Sequence, residues 1–247
     1  MRWRIIPLEM HDAFLNMALD ESISENVATG GQPTIRFYKW FPSAVSIGYF
    51  QSLNDVVNVK KCVSIGVNIV RRRTGGGAVY HSNSGEITYS VIGPVNEFPK
   101  NIIESYKKIC GWVIKGLEEM DIHAEFAPIN DIVVGEKKIS GNAQTRRNNV
   151  LLQHGTILYD VNVDKMFTVL RVPDEKMRGK IIKNVRERVT RILDFQKVSK
   201  QETYEALLKG FTYDKDFEIG EVSEQEMNRA KELVKTKYAT DEWNYMR

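Results

Sequence analysis

Gly75-Gly76-Gly77 follows Arg71-Arg72-Arg73-Thr74 and precedes Ala78-Val79-Tyr80-His81. Three consecutive glycines do not build the interior of a helix or strand, because each forfeits backbone entropy and offers no side chain to pack. Yet the flanking segments are strand-like. Asn68 to Arg73 lies upstream, and downstream Glu86 to Ile92 alternates Ile87, Tyr89 and Val91 with Thr88, Ser90 and Ile92, a pattern for a sheet with one face well buried. A sheet must therefore accommodate a glycine turn and is expected to continue past it. Such a turn can adopt φ > 0 and approach a ligand closely, and the adjacent guanidinium groups can grip phosphate or carboxylate oxygens in pairs. A sheet-edge bulge beside solvated arginines is the plainer alternative.

The rest of the chain surrounds this turn with strands early and helices at both ends. Asp12 is placed to cap a helix carrying Phe14, Met17 and Ala18 on one face, stopped by Gly30-Gly31. Thr34 to Lys39 and Val45 to Phe50 read as a paired set of strands across Pro42-Ser43. Ile102, Tyr106, Ile109, Val113, Leu117 and Met120 recur at spacings of three and four, which predicts a core-facing helix over 102–120. Strands resume at Asp131 to Val134, with Gly135-Glu136 as a hairpin turn, and at Val150 to Asp160. From Asp164 the pattern turns helical, with Ser199…Glu202 and Ser223…Glu226 as capping boxes. The order is not a strict βαβα alternation, so the expected class is α+β with a mixed, largely antiparallel sheet flanked by helices, in a single domain over 1–247.

Composition narrows the function. The 35 basic residues exceed the 32 acidic ones by three, so no overall field calls for nucleic acid or an anionic membrane. No apolar run approaches the roughly 20 residues of a membrane span, and the charged amino terminus is no export signal. Cys62 and Cys110 make no disulfide framework, and with His11, His81, His123 and His154 scattered there is no zinc spacing. A soluble protein of the reducing cytoplasm is expected. Gly-x-Gly-x-x-Gly, P-loop and Gly-x-Ser-x-Gly signatures are all missing. Residues 165–200 hold eleven Lys/Arg against four Asp/Glu, either a solvated face or a docking patch for an acidic partner.

Two further segments could carry chemistry. In Asn130-Asp131…Lys137-Lys138-Ile139-Ser140-Gly141-Asn142-Ala143, a lysine between strands can set its ammonium against a phosphate or a carbonyl gaining charge. Asp131 could hold Mg²⁺, an ion that accepts one or two carboxylates alongside substrate phosphates. A surface hairpin is the plain reading of the same residues. His154-Gly155-Thr156 opens an apolar strand, where a lone histidine is ordinarily a satisfied structural residue.

Taken together, Arg71-Arg72-x-x-Gly-Gly-Gly-Ala-Val-Tyr-His81, Asn130-Asp131, Lys138-Ile-Ser-Gly-Asn-Ala143 and His154-Gly-Thr-Ile-Leu158 resemble the lipoate-protein ligase A family in order and spacing. Arg36-Phe-Tyr, Ile47-Gly-Tyr-Phe-Gln51, Val185-Arg-Glu-Arg-Val-Thr190 and Glu242-Trp-Asn244 extend the likeness over nearly the whole chain. The resemblance implies the biotin/lipoate ligase catalytic fold, related to the class II aminoacyl-tRNA synthetase core. It implies activation of lipoate or octanoate with MgATP to an acyl-adenylate, then transfer to one lysine of a lipoyl domain, of a 2-oxoacid dehydrogenase complex or the glycine cleavage H protein. By the same resemblance Arg72, Gly75, Gly76, Gly77, Ala78, Val79, Tyr80 and His81, with Gly141, Ala143, His154, Gly155 and Thr156, would bind ATP and the adenylate. Lys138 would be the catalytic residue touching the α-phosphate and the acyl carbonyl, Asp131 with Asn130 would position Mg²⁺, and the Ile47 to Gln51 strand with His154 would line the acyl tunnel.

Two departures shape the expectation. His81-Ser82 stands where many relatives have His-Asp, and the chain stops at Arg247 where longer ligases continue into a small accessory domain that some relatives take from a separate polypeptide. Activation by this chain alone is therefore expected to be poor, with a separate accessory protein as partner. An octanoyltransferase, which draws octanoate from acyl carrier protein through a cysteine thioester, is the main rival, and Gln144-Thr-Arg146 and Leu151-Leu-Gln-His154 have its wording. However, the loop that would carry its thiol, His123 to Ile129, has no cysteine, and Cys110 falls inside the expected helix. A non-catalytic lipoyl-domain binding protein on the same fold is a third reading.

Overall fold

The computed structural model describes residues 1–172 and 174–247, Glu175 by its backbone only. Strand β1 (Arg2–His11) leads into helix α1 (Ala13–Ala28), then β2 (Thr34–Trp40), β3 (Ala44–Ile47) and the short helices α2 (Leu53–Val56) and α3 (Val59–Ser64). β4 (Asn68–Arg71) and β5 (Val79–His81) flank the glycines, followed by β6 (Glu86–Pro94) and helix α4 (Ile102–Glu118). Next come β7 (Glu125–Ala127), β8 (Asp131–Val134), β9 (Lys137–Arg147) and β10 (Val150–Leu158). Helices α5 (Val163–Val169), α6 (Arg178–Arg188) and α7 (Lys200–Thr212), strand β11 (Asp216–Ile219), and helices α8 (Glu224–Leu233) and α9 (Asp241–Asn244) complete the order.

Among the described residues an eight-stranded sheet runs β11-β1-β2-β6-β10-β9-β8-β7, and a three-stranded sheet runs β4-β3-β5. β1 pairs in parallel with both its neighbours and the remaining pairs of the large sheet are antiparallel, as the α+β expectation required. The alternation in β6 explains how the layers attach. Ile87, Tyr89 and Val91 pack with Ile109, Val113 and Leu117 of α4 and Leu207 and Phe211 of α7, whereas Ile92 meets Ile23 and Val27 of α1 on the other face. Each such side chain contributes about 1.5–3 kcal/mol when fully buried. Both capping boxes form, Ser199 with Glu202 and Ser223 with Glu226, and Gly135 turns the hairpin at φ +61°. Among the described residues no helix is long and apolar enough to cross a membrane.

Several expectations need correction. The segments at 34–39 and 45–50 are not partners: β2 lies between β1 and β6, whereas β3 belongs to the small sheet, because the turn at 41–43 carries the chain from one sheet to the other. The second of them ends at Ile47, before Gly48, and β4 ends at Arg71. The glycines link β4 to β5, the two outer strands of the small sheet, which thus continues past them, and the large sheet resumes at β6. β6 is buried on both faces, not one, since α1 covers the side bearing Thr88 and Ser90. Ile102, at the first turn of α4, is exposed. β1 and β11 are strands where charge and Pro7 masked the pattern, and β1 shifts register between Ile6 and Glu9, around that proline.

Candidate active site

The end of the small sheet faces β8–β10 across a cavity of about 910 Å³. The glycine turn contributes Gly76, Gly77, Ala78, Val79, Tyr80 and His81; β8 and β9, with Asn130 just before them, contribute Asp131, Lys138, Gly141 and Ala143; β10 contributes His154, Gly155 and Thr156. Antiparallel register brings these distant segments level: Asp131 faces Gly141, Gly141 faces Thr156, and Ala143 faces His154. The spacing from Lys138 to Gly141 has a steric reason. The lysine side chain folds back over Gly141, where an added Cβ would sit 2.6 Å from its Nζ, and the ammonium reaches Asp131 Oδ1 at 2.7 Å. Asn142 holds the strand start from the other side, its Nδ2 donating to Asn130 O at 2.8 Å, while its Oδ1 accepts from the Tyr89 hydroxyl at 2.6 Å. A Cβ on Gly155 would lie 1.9 Å from that oxygen, so glycine beside His154 makes room for Asn142.

Arg72 sits deeper than its sequence setting implied. It is 4% exposed, and burial lowers its pKa to about 10. Its Nε donates to Thr74 Oγ1, its Nη1 to the carbonyl and hydroxyl of Ser46, and its Nη2 to the carbonyls of Gly75 at 2.7 Å and Gly77 at 2.8 Å. All five N–H groups are thus directed at protein acceptors. The geometry shows Arg72 shaping the turn, and not the direct phosphate grip anticipated from sequence. Arg72 still lines the cavity whereas Gly75 does not, and Gly76 adopts φ +94°.

The neighbouring Arg71 is fully buried and points the other way. Its guanidinium donates to the carbonyls of Gly48, Tyr49 and Gln51 and to those of Trp243 and Asn244, tying the 48–51 turn to α9. Residues 47–51 therefore brace the glycine turn and do not line the cavity as expected; Ser46, Tyr38, Trp40, Met17, Leu158, Val163 and Met166 supply its walls instead. Val185 and Val189 close another side, with Val189 bridging to Lys138 and Thr190 N–H donating to Lys138 O at 2.9 Å. Ser82 follows His81 in the chain, and a carboxylate reaches the imidazole from Glu86: its Oε1 lies 2.6 Å from His81 Nδ1.

Sequence reasoning missed Asp20, Glu86 and Trp40. Asp20 offered a signal, since it lies one turn from Met17 on the face that helix α1 turns to the core. Its Oδ2 is 3.1 Å from His154 Nδ1. Burial holds His154 below its ordinary pKa of 6.5, against the opposing pull of Asp20, with Arg72 and His81 also nearby. The unfolded chain takes up that proton near 6.5 while the folded one resists, so this stability is intact above about pH 6.5 and is lost as pH falls toward the folded value. In thermal melts, the advantage of the parent over His154→Gln is accordingly expected to shrink from about pH 7.5 to about pH 5. An advantage that grows on acidification would contradict the neutral buried imidazole.

Known proteins resemble this chain in sequence and in fold over nearly its whole length. The family model for the lipoyl protein ligase A/B catalytic domain matches residues 12–212. The chain belongs to this family. As a lipoyl protein ligase A/B domain it is 36% identical over 276 residues to the octanoyltransferase LipM of Brevibacillus brevis, covering 100% of this chain and 99% of that one. It is similar, at TM-score 0.91 and 36% identity over 99% of this chain and 96% of the other, to a structure from a study of a bi-partite lipoate protein ligase and its E2 lipoyl domain from Thermoplasma acidophilum. A lipoate-protein ligase A bound with ATP superimposes with TM-score 0.85 at 33% identity, over 99% of each chain. The family thus fixes an enzyme of lipoyl or octanoyl transfer, and the biotin/lipoate ligase catalytic fold expected from sequence is present.

Proposed function

We propose that the chain is a lipoate-protein ligase that forms an acyl-adenylate from lipoate or octanoate and ATP, then passes the acyl group to a lysine of a lipoyl domain. The observation carrying this reading against the transferase is the placement of the thiols. A transferase works through a cysteine thioester, which requires an accessible thiolate at the pocket. Cys62 is buried in α3, where desolvation pushes its thiol up to about 11, and Cys110 is buried in α4, where desolvation pushes it up to about 12 despite Gln153. Neither lines the cavity, whereas Lys138 and Asp131 do.

In the first half-reaction a carboxylate oxygen attacks the α-phosphorus and pyrophosphate leaves. In the second, the acceptor amine attacks the acyl carbonyl and AMP leaves. Both transition states gather negative charge on oxygens, and the Lys138 ammonium, held by Asp131, meets that charge without forming a bond. The glycine turn offers backbone N–H groups to the phosphate, and the walls formed by Met17, Trp40, Val163 and Met166 suit an eight-carbon chain. Asp131 and the amide oxygen of Asn130 provide a partial oxygen donor set that fits Mg²⁺ completed by nucleotide phosphates. The ion would neutralise phosphate charge there.

The relative described as bi-partite supports a requirement for a second polypeptide during activation, and free buried thiols accord with a cytoplasmic setting. Mass spectrometry for lipoyl-AMP after mixing the chain with lipoate and MgATP, with and without such a polypeptide, tests the reading; adenylate is expected, and more of it with the second component. Octanoyl transfer from an acyl carrier protein thioester with no adenylate in either mixture would favour the transferase. A Cys62→Ala/Cys110→Ala double variant is expected to ligate within about threefold of the parent rate, since no step passes through sulfur. Loss of transfer with the fold retained would overturn this.

A further inference from the structure

Arg72 is held by two hydrogen-bonded chains that start at buried carboxylates. In one, Asp20 Oδ2 lies 3.1 Å from His154 Nδ1, His154 Nε2 lies 2.8 Å from Thr74 Oγ1, and Thr74 Oγ1 accepts from Arg72 Nε at 3.0 Å. In the other, Glu86 Oε1 lies 2.6 Å from His81 Nδ1, His81 Nε2 lies 2.8 Å from Ser46 Oγ, and Ser46 Oγ accepts from Arg72 Nη1 at 3.2 Å. Every member is buried.

The chemistry of the two ends fixes the outer bonds of both chains. A guanidinium can only donate and a carboxylate can only accept, while a hydroxyl has a single hydrogen. Each Nδ1 must therefore donate to its carboxylate, and each hydroxyl, accepting from Arg72, has its one hydrogen to give to Nε2; with the hydroxyls turned that way both rings carry their proton on Nδ1. The outer ends are anchored in turn. Arg36 Nη1 and Ser90 Oγ donate to Asp20 Oδ1 at 3.1 and 2.7 Å. Thr88 Oγ1 donates to Glu86 Oε1 at 3.0 Å, and Trp40 stacks on His81 at 4.0 Å between ring centroids.

Buried charges are costly unless paired and hydrogen-bonded, and an apolar wall would close this space without them. The network supplies what an apolar wall lacks, a fixed direction for two peptides. Arg72 Nη2 takes the carbonyls of Gly75 and Gly77, and in a planar trans peptide the next N–H points the opposite way. The amides of Gly76 and Ala78, both on the cavity wall, are thus turned away from the guanidinium and presented to a ligand.

We propose that Asp20 and Glu86 are positioning residues for the glycine turn, acting through His154 and His81 as one-way relays that fix Arg72 and so aim the amides of Gly76 and Ala78 at an anion. The inference rests on the reading of that turn as the cradle for ATP and the adenylate. It is tested in the free protein first. Nitrogen-15 spectra of the histidine side chains are expected to show His81 and His154 as Nδ1–H tautomers, and an Nε2–H tautomer at either overturns the relay.

Thr74→Val keeps the volume and removes one hydroxyl, whereas Thr74→Ser keeps the hydroxyl. Amide exchange at 75–78 is expected to accelerate about tenfold in Thr74→Val, with β6 still protected, and to return to the parent rate in Thr74→Ser. In adenylate formation KM for ATP is expected to rise about tenfold in Thr74→Val, with kcat changed by less than about threefold. Unchanged exchange and KM overturn the proposal. Accelerated exchange in a protein that makes no adenylate at all supports the positioning role while removing the ligase reading. Should Thr74→Val fail to fold, Asp20→Asn serves instead. Arg36 needs the amide oxygen there, so the amide nitrogen faces His154, and the expected results are an Nε2–H tautomer at His154 and the same faster exchange; a retained Nδ1–H tautomer with parent exchange overturns the role of Asp20.

Discussion

Lys138→Ala is expected to lower adenylate formation and acyl transfer by about 10²–10³-fold each while leaving the melting temperature within about 2 °C of the parent. The two halves of that expectation come from one geometry. Lys138 Nζ lies 2.7 Å from Asp131 Oδ1, but the side chains are 40% and 34% exposed, and a solvated pair of this kind contributes little to stability. Inside a cavity closed over substrate, the same ammonium faces charge that develops on phosphate and acyl oxygens, where a fixed donor is worth far more than in water. Lys138→Arg is not expected to rescue, because the side chain crosses Gly141 in close contact and a planar fork cannot reproduce a compact ammonium there. Single-turnover assays of each half-reaction, beside thermal melts, check the prediction. Full activity in Lys138→Ala would move the electrostatic role elsewhere.

Gly48→Ala is the second large effect, and it acts at a residue that does not touch the cavity. A Cβ on Gly48 would stand 2.0 Å from Gly76 O and 3.0 Å from Gly76 C, both backbone atoms of the glycine turn. No rotamer relieves that overlap, so the turn has to shift by about an ångström, a displacement that can cost about 10²-fold in rate. We expect kcat/KM for ATP to fall by about that factor and the melting temperature to drop by several degrees. Gly111→Ala is the matched control: it lies within α4, a Cβ there meets nothing within 4 Å, and stability should hold or rise slightly. Equal losses in the two variants would mean that Gly48 carries no special demand.

What could be read from sequence follows the range over which each feature is determined. Helix α4 was legible because Tyr106, Ile109, Val113 and Leu117 bury one stripe over about three turns, and the boxes at Ser199 and Ser223 need only three neighbours. β2 and β3 were correctly strands but wrongly partners, since the neighbours of β2 lie about 30 residues before it and 50 after it in sequence. Within the site, Lys138, Asp131 and the glycines stood out because unusual residues adjoin there. Glu86 and Asp20 did not, because a buried acid is recognised by what surrounds it, and their surroundings are assembled from β2, β5, β6 and β10. Arg72 shows the reverse error. Its chemistry suits an incoming phosphate, but five protein acceptors reach it first.

The side chain of Arg71 also sets an order of events during synthesis. The 48–51 turn that braces the glycines takes three of its carbonyl contacts from this guanidinium, whose other two acceptors are the carbonyls of Trp243 and Asn244, while Asn244 Oδ1 accepts from the Arg71 N–H at 2.7 Å. Until residues 243 and 244 have left the ribosome, the guanidinium lacks the partners that let it stay dry beneath the turn. The sheets can form from the nascent chain as it emerges, but the cradle acquires its final shape only once residues 243 and 244 are at hand, so a polypeptide that has not reached them carries the residues of the site without a site.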